Sequence, residues 1–505
     1  MGRFKMNNHQ KAPQTLSASQ LNILCEQASI LLTTGQVETA RKQFLDILKI
    51  DPTHLETLIN FAVLLVDTGY NSAAKTAYSQ ALACHPNSLL AHINLANLYF
   101  QERHFKEASN HYEKVLAIAN SKNKNDKSDS FTISQVAHAH QGLALINFEQ
   151  GNQERADFHH SSGFTLEPIR FFDQINKPKS KSALVLIGGR GGDIPWPSLI
   201  DQSLFSVQTL AVEFWQLAKD LLKPLDQYDL ILNAIGDADS SKISLLVAQD
   251  FFDKQINSIP SFTSFYSNNK IINSPDKVLL SGRTFNAERF KKIHFVKTAN
   301  TRTLNREDLK TTETIKDALT LKVKFPVLVR SLGFQTGKHF EYASTPEDLS
   351  NIASSLPGAE LLVMEFLDTK DERGYFKKYR VMFIGGNIYP LHLAISKHWK
   401  VHYFSAAMKD SAENRDQEKA FLERMEETIG AKALKALESI QRELALDYAG
   451  IDFAIDAQGE LVVFEANATM IMALPPADEI WDYRRGHILK AKEAVSQMLL
   501  SKAHA

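Results

Sequence analysis

Asp452, Glu465 and Asn467 carry oxygen donors inside runs that are otherwise apolar: Gly450-Ile-Asp-Phe-Ala-Ile455 and Val462-Val-Phe-Glu-Ala-Asn467. A charged group in a core strand is costly unless it is paired or binds a metal. Gly459 lies between the two runs, so they read as strands of one hairpin. Asp452 shares a face with Ala454 and Asp456 by the period of two, and Glu465 shares one with Asn467. The three side chains are expected to meet across the hairpin. Hard oxygen ligands of this kind suit Mg²⁺, which keeps phosphate oxygens and waters in its shell. The alternative is a strand face that simply meets solvent.

Three further segments precede this hairpin in order. Lys324 to His339 reads as a strand carrying Arg330, then a loop with Gly333, Thr336, Gly337 and Lys338, then a second strand. Such a loop can lay backbone N–H groups over phosphates. Glu360 to Asp368 is a buried strand ending in Glu365-Phe366-Leu367-Asp368. Its edge can meet an adenine through main-chain groups, with a carboxylate near the ribose. Lys378-Tyr379-Arg380 heads an apolar strand, and a guanidinium there suits a phosphate or acyl phosphate. His392 to Tyr403 is dense in cations and aromatics. Lys397, Lys400, His392 and His402 are read as able to recognise a carboxylate substrate or the tetrahedral intermediate, with Lys397, Lys400 and His402 the favoured subset; solvated strand charges are the plain alternative.

This ordered set resembles the ATP-grasp superfamily, which includes glutathione synthetase, D-alanine–D-alanine ligase and the RimK-type glutamate ligases. The resemblance covers about residues 182 to 500. It implies an ADP-forming carboxylate–amine ligase acting through an acyl phosphate, with ATP and two Mg²⁺ ions as cofactors. Asp452, Glu465 and Asn467 would hold the metal, with Asn467 also placed at the catalytic centre. Gly333 to Lys338 would cover the phosphates, Glu365 to Leu367 would form the adenine hinge with Asp368 beside it in the nucleotide-binding set, and Arg380 would stabilise the acyl phosphate. Lys400, His402 and Lys397 complete the expected catalytic set. Arg330 stands where the family usually has Lys, a swap that is not neutral. Arg283 is the stand-in for an upstream nucleotide-binding lysine.

The elements that position this chemistry follow a small α/β unit. Ala183 to Gly188 and Tyr228 to Ile235 read as buried parallel strands, with Val207 to Leu222 as a helix between them. Gly188-Gly-Arg-Gly-Gly192 does not meet the dinucleotide spacing and reads as a tight strand exit or a ligand contact. Asp416 to Met425, Ala431 to Leu446 and His487 to Leu500 read as packing helices.

The N-terminal third is a repeat. Ala28, Ala62 and Ala96 are spaced by 34, as are Ala40, Ala74 and Ala108, and Phe44, Tyr78 and Tyr112. Pro52 and Pro86 keep the step. This is the tetratricopeptide period. A fourth copy at Ala144, Gly151, Ala156 and Pro168 follows an insertion of 14, most of it the polar stretch Asn120 to Ser130. Four such pairs form a stack whose concave face can dock a peptide, a protein or another copy of the chain, or serve as a spacer.

The expected architecture is multidomain: an all-α tetratricopeptide solenoid over 18–170 with an insertion at 120–131, and a linker at 171–181. An α/β pre-ATP-grasp, Rossmann-like domain over 182–295 and an α+β ATP-grasp domain over 296–500 follow. The 505 residues carry 57 Lys plus Arg and 58 Asp plus Glu, a net charge of −1, which gives no general attraction for nucleic acid or membrane. Two cysteines, Cys25 and Cys84, make no disulfide scaffold or zinc motif. Met1 to Gln20 shows no apolar signal segment and no run spans a bilayer, so the expected location is the cytoplasm. The expected substrates are a small carboxylate and an amine or peptide, with a protein partner or a homodimer through the repeats. A protein-modifying ligase and a non-catalytic nucleotide-binding scaffold are the competing functions.

Overall fold

The computed structural model describes residues 16–121, 130–172, 181–189, 192–258, 261–263, 270–319, 323–332, 339–401, 403, 406, 408–475 and 478–504. The polar insertion around 122–129 and most of the expected linker, 173–180, lie outside them. The chain divides into two compact units, Met1–Glu167 and Pro168–Ala505.

The first unit is helical: α1 Ala18–Thr33, α2 Val37–Ile50, α3 Leu55–Asp67, α4 Asn71–Cys84, α5 Leu89–Gln101, α6 Phe105–Ser121, α7 Ser130–Glu149 and α8 Gln153–Leu166. The periodic residues are its core. Ala28, Ala40, Ala62, Ala74, Ala96 and Ala108 have no exposed surface. Small side chains let the paired helices approach, and Phe44, Tyr78 and Tyr112, at most 2% exposed, fill the spaces beside them. Starts are capped by polar side chains: Ser17 forms a capping box with Gln20, and Ser88 accepts from the Ala91 N–H. α2, α4 and α8 each stop two residues before Pro52, Pro86 and Pro168, because proline restricts its predecessor and removes a donor.

The described residues of the second unit form three sheets. The first has the order β1-β3-β2-β4-β5, with β1 Ile169–Phe172 antiparallel to β3 Phe205–Ala211. β2 Lys181–Ile187, β3, β4 Leu230–Asn233 and β5 Ile271–Ile272 are parallel. Two expectations change here. Ile169 and Arg170, assigned to the repeats, and Phe171 and Phe172, assigned to the linker, form β1. Val207 to Leu222 is not a helix: Val207 to Ala211 lies in β3, followed by one turn at Val212–Phe214 and a short helix Trp215–Ala218. From Val207 to Ala211 the strand is buried at every residue, so it lacks the in–out alternation that marks a strand in sequence.

The second sheet is antiparallel, with the order β7-β10-β8-β9: β7 Thr301–Asn305, β8 Val327–Ser331, β9 Phe340–Ala343 and β10 Glu360–Glu365. The third has the order β12-β11-β13-β14-β6. Its strands are β6 Val296–Thr298, β11 Phe376–Ile384, β12 Asn387–Ser396, β13 Tyr448–Ile455 and β14 Leu461–Asn467. All its pairs are antiparallel except β14 with β6. Helices Ala412–Glu423, Met425–Leu444 and Asp482–His504 follow the expected packing segments. Tyr379, Phe421 and Phe453 pack face and edge at 5.0 and 5.4 Å beneath the sheet. Among the described residues no helix is long and apolar enough to cross a membrane.

Candidate active site

The site grows from one row of side chains across the third sheet. Glu465 lies opposite Asp452, Asp452 opposite Arg380, and Arg380 opposite His392. Directly opposed residues of antiparallel strands share a face. Asn467, opposite Gly450, is in the adjacent position on that face. A register shift after Asp452 makes this possible. Phe453 pairs with Val463, so Phe464 is the extra, unpaired residue of β14. Without that bulge Phe464 would oppose Asp452, and Glu465 and Asn467 would point to the other side.

Asp452 is 3% exposed. Arg380 grips both of its oxygens, Nε to Oδ1 at 2.5 Å and Nη2 to Oδ2 at 2.8 Å, and Lys378 Nζ approaches Oδ2 at 3.0 Å. Burial alone would raise the Asp452 carboxyl, but Arg380 and Lys378 hold it well below the usual carboxylate range. Glu465 Oε1 accepts from Arg283 and, at 2.8 Å, from Asn467 Nδ2. Asn467 Oδ1 accepts from the backbone and hydroxyl of Thr469, both at 3.0 Å.

Arg283 joins this sheet to the first one. Its Nη1 donates to Asp239 at 2.8 Å, in the loop that follows β4. Asp237 shapes that loop by accepting from the Asp239 and Ser240 N–H groups at 2.9 and 3.2 Å. Burial opposes the charge on Arg283, but Glu465, Asp237 and Asp239 outweigh it and raise its pKa. The pKa of Arg330, on β8, is lowered by burial first and then by Arg283. The Arg330 guanidinium lies 5.6 Å from the Phe340 ring centroid.

The segment Glu365–Asp368 follows β10. The Glu365 N–H donates to Asn300 O and the Phe366 N–H to Pro326 O, both at 2.9 Å. Asn300 Nδ2 returns a bond to Glu365 Oε2 at 2.8 Å. Phe366 belongs to an aromatic group with Tyr342 and Trp399 at 5.2 and 6.4 Å; Asp368 is exposed beside Lys370 at 3.4 Å.

The expected residues therefore separate. Asp452, Glu465, Asn467, Arg380 and Arg283 come together, with Arg330 in their field. Lys400 Nζ is bound to the Phe340 carbonyl at 2.8 Å, and Lys397 lies over the Tyr375 ring at 5.4 Å; neither contacts the carboxylate row. Gly333, Thr336, Gly337, Lys338 and His402 lie outside the described residues. Sequence reasoning gave no site role to Lys378, Asp237 and Asp239. Lys378 is two residues from Arg380 and so on its face, and the acids directly follow a buried parallel strand, where ligand loops gather.

Magnesium can be judged against these donors. Two carboxylates and one amide oxygen on a single face are the hard set it takes. The hydrogen bonds from Arg283 and Asn467 both reach Glu465 at Oε1. Among the described residues no three His, Cys, Asp or Glu side chains gather to hold an ion, so Asn467 and ligand oxygens must complete the shell. On those terms the residues fit.

Residues 287–474 match the RimK-like ATP-grasp domain, and residues 90–122 match a tetratricopeptide repeat. The second unit carries a RimK-like ATP-grasp domain. The ATP-grasp domain is a ligase fold that binds ATP, and it contains Arg330, Arg380, Asp452, Glu465 and Asn467. Arg283 and the loop of Asp237 and Asp239 precede the match. No curated protein matches the chain. Among solved structures, PilF of Pseudomonas aeruginosa is 17% identical over 29% of this chain and 61% of its own, with a TM-score of 0.25. MamA of Desulfovibrio magneticus RS-1 is 17% identical over 29% of this chain and 75% of its own, with a TM-score of 0.24. A carboxyaminoimidazole ribonucleotide synthase from Aspergillus clavatus, complexed with ATP, is 12% identical over 58% of this chain and 71% of its own, with a TM-score of 0.36. The chain spans about three fifths of the PilF chain.

Proposed function

We propose that the chain is an ADP-forming carboxylate–amine ligase that works through an acyl phosphate. The observation that carries this is the row Glu465, Asp452, Arg380 and His392, with Asn467 beside it, inside a RimK-like ATP-grasp domain. Asp452, Glu465 and Asn467 would hold two Mg²⁺ ions. When bound, Mg²⁺ neutralises charge on the β- and γ-phosphates of ATP.

The chain's own groups divide the remaining work. Arg380 offers a planar fork next to the metal set and stabilises the oxyanion that develops at the acyl carbon. Arg283, at the start of the helix Arg283–Phe290, holds Glu465 in place while bound to Asp239, a positioning role in place of the nucleotide contact expected for it. Glu365 and Phe366 already use their main-chain N–H groups internally, so Leu367 is the hinge residue whose main chain meets the adenine. Asp368 is placed for the ribose. Gly333, Thr336, Gly337 and Lys338 are the residues assigned to cover the phosphates. Lys397, Lys400 and His402 are assigned to the carboxylate substrate, and Lys400 is held by the Phe340 carbonyl. The second unit reads as a pre-ATP-grasp part, 182–295, and the ATP-grasp part, 296–500. The repeats dock a peptide or protein substrate or partner.

A non-catalytic scaffold is the second reading. The full set of oxygen donors on one face disfavours it, because a face released from chemistry has no reason to keep buried charges. The test is a screen for ADP release with Mg-ATP and pooled acids and amines, followed by mass spectrometry of the product. Release that requires one acid and one amine, with a condensed product, supports the ligase. Absence of release from every pool, with Mg-ATP binding intact, supports the scaffold.

A further inference from the structure

The row does not stop at Arg380. His392 ends it on β12, the edge strand, and opens a second cluster there. The imidazole is 7% exposed, and Nε2 is sealed with no hydrogen-bond partner. Its ring lies 4.9 Å from that of Tyr403. Arg484, from the helix Asp482–His504, places its guanidinium 4.1 Å from the Tyr403 centroid. Arg484 is itself 7% exposed.

The charge partner of Arg484 is Glu418, fully buried on the helix Ala412–Glu423, with Nε 3.2 Å from Oε1. That approach lacks hydrogen-bond geometry, and Nε is left without a bond. Glu418 is meanwhile well supplied. Oε1 accepts the Leu393 N–H at 3.3 Å, and Oε2 accepts the hydroxyls of Tyr403 at 3.0 Å and Tyr483 at 2.5 Å. Glu418 thus balances the guanidinium's charge without accepting a hydrogen bond from Nε. A guanidinium has five N–H groups, and buried donors left unmade are expensive. Around His392 stand Arg380, Arg484 and Lys378 against Asp452. Burial and then Arg380 push the imidazole's pKa well down, which keeps it neutral with one N–H to donate.

We propose that His392 and Arg484 form a carboxylate-binding subsite at the β12 edge, seating a substrate carboxylate beside Arg380. Glu418 is the positioning residue that fixes Arg484, and Tyr403 is the ring against which both side chains pack. The proposal rests on the ligase reading and deepens it by giving the substrate a recognised carboxylate. Arg484 lies outside residues 287–474, so this donor comes from the chain's own C-terminal helix rather than from the matched domain. The carboxylate has two possible sources: the acid to be activated, or the α-carboxylate of an amino-acid nucleophile.

Calorimetry on the full chain separates these. The probes are the dicarboxylates from malonate to adipate, a pool of L-amino acids, and the corresponding amides, each with and without Mg²⁺ and a non-hydrolysable ATP analogue. At least one acid is expected to bind and its amide to bind tenfold or more weakly. Arg484→Lys, which keeps the charge beside Glu418 but not the fork, should weaken that acid tenfold or more. It should leave the nucleotide within twofold. The double change Glu418→Gln with Arg484→Gln, which leaves no buried charge alone, should do the same, and Glu418→Gln alone should follow in the acid but not the nucleotide. Dicarboxylate binding assigns the subsite to the activated acid; amino-acid binding assigns it to the nucleophile. The proposal falls if neither pool binds, if acid and amide bind alike, or if the variants bind the acid as wild type does. Wild-type failure to bind the nucleotide would sink the ligase reading, while the acid titrations would still decide the subsite.

Discussion

Replacing Asp452 with Asn tests the electrostatics of the row without changing its shape. Asp452 holds two cations, Arg380 through both oxygens and Lys378 through one. Removing one partner of a buried pair costs about 3–5 kcal/mol, because the other charge is left uncompensated. The side chains of Arg380 and Lys378 keep 22% and 16% of their exposure, so water relieves part of that cost. The expected loss is therefore about 3 kcal/mol at pH 7, the low end of that range. Trp196, Trp215, Trp399 and Trp481 all lie in the second unit, so tryptophan fluorescence in a urea titration reads this unit. The pH dependence gives an internal check. The folded carboxyl titrates well below the unfolded value of about 3.9. Its contribution is present above that value and is lost as pH falls below it, so the deficit of Asp452→Asn should shrink below about pH 4. A deficit under about 1 kcal/mol at pH 7, or one that stays constant into acid, would show that Asp452 is not the buried counter-ion described here.

In the first unit, a Cβ at Gly142 would meet the Tyr112 ring at 2.3–2.8 Å, so Gly142→Ala should cost about 1–3 kcal/mol. It should lower the ellipticity melt at 222 nm and leave the tryptophan transition in place; an unmoved melt would contradict the packing. The same unit carries two matched histidine pairs, His92 with His111 and His140 with His159, each with Nδ1 atoms 2.9 Å apart. Burial, and then the partner, lowers His111 and His140 to about 4. Folded values below the unfolded 6.5 give stability that is complete above pH 6.5 and lost as pH falls toward 4. The helical melt should drop between those pH values and flatten in a His111→Phe, His140→Phe variant; a flat wild-type profile would refute the pairing.

What was legible in the sequence follows from which forces are local. The 34-residue step of Ala28, Ala62 and Ala96 reports a packing constraint repeated along the chain, and those residues are buried as that constraint requires. From Val207 to Ala211, burial on both faces removes the period of two, so this part of β3 carries no strand signal in the sequence. The hairpin of β13 and β14 was visible from Gly459 and the apolar runs. Its common face for Asp452 and Glu465, however, depends on the bulge at Phe464, which no residue spacing reveals. Arg283 was named for its charge, but its partner Glu465 is 182 residues away, and only the fold joins them. Lys397 and Lys400 drew notice through local cation density, yet the structure commits them to Tyr375 and the Phe340 carbonyl.

The central claim is that Glu465, with Asp452 and Asn467, serves a metal–nucleotide complex, and titrating ATP into the full chain tests it most directly. The account predicts heat of binding that requires Mg²⁺ and is lost in Glu465→Gln, which keeps the side chain's size while removing the charge that a divalent ion needs. Binding of ATP equally well without Mg²⁺, or unchanged in Glu465→Gln, would contradict it.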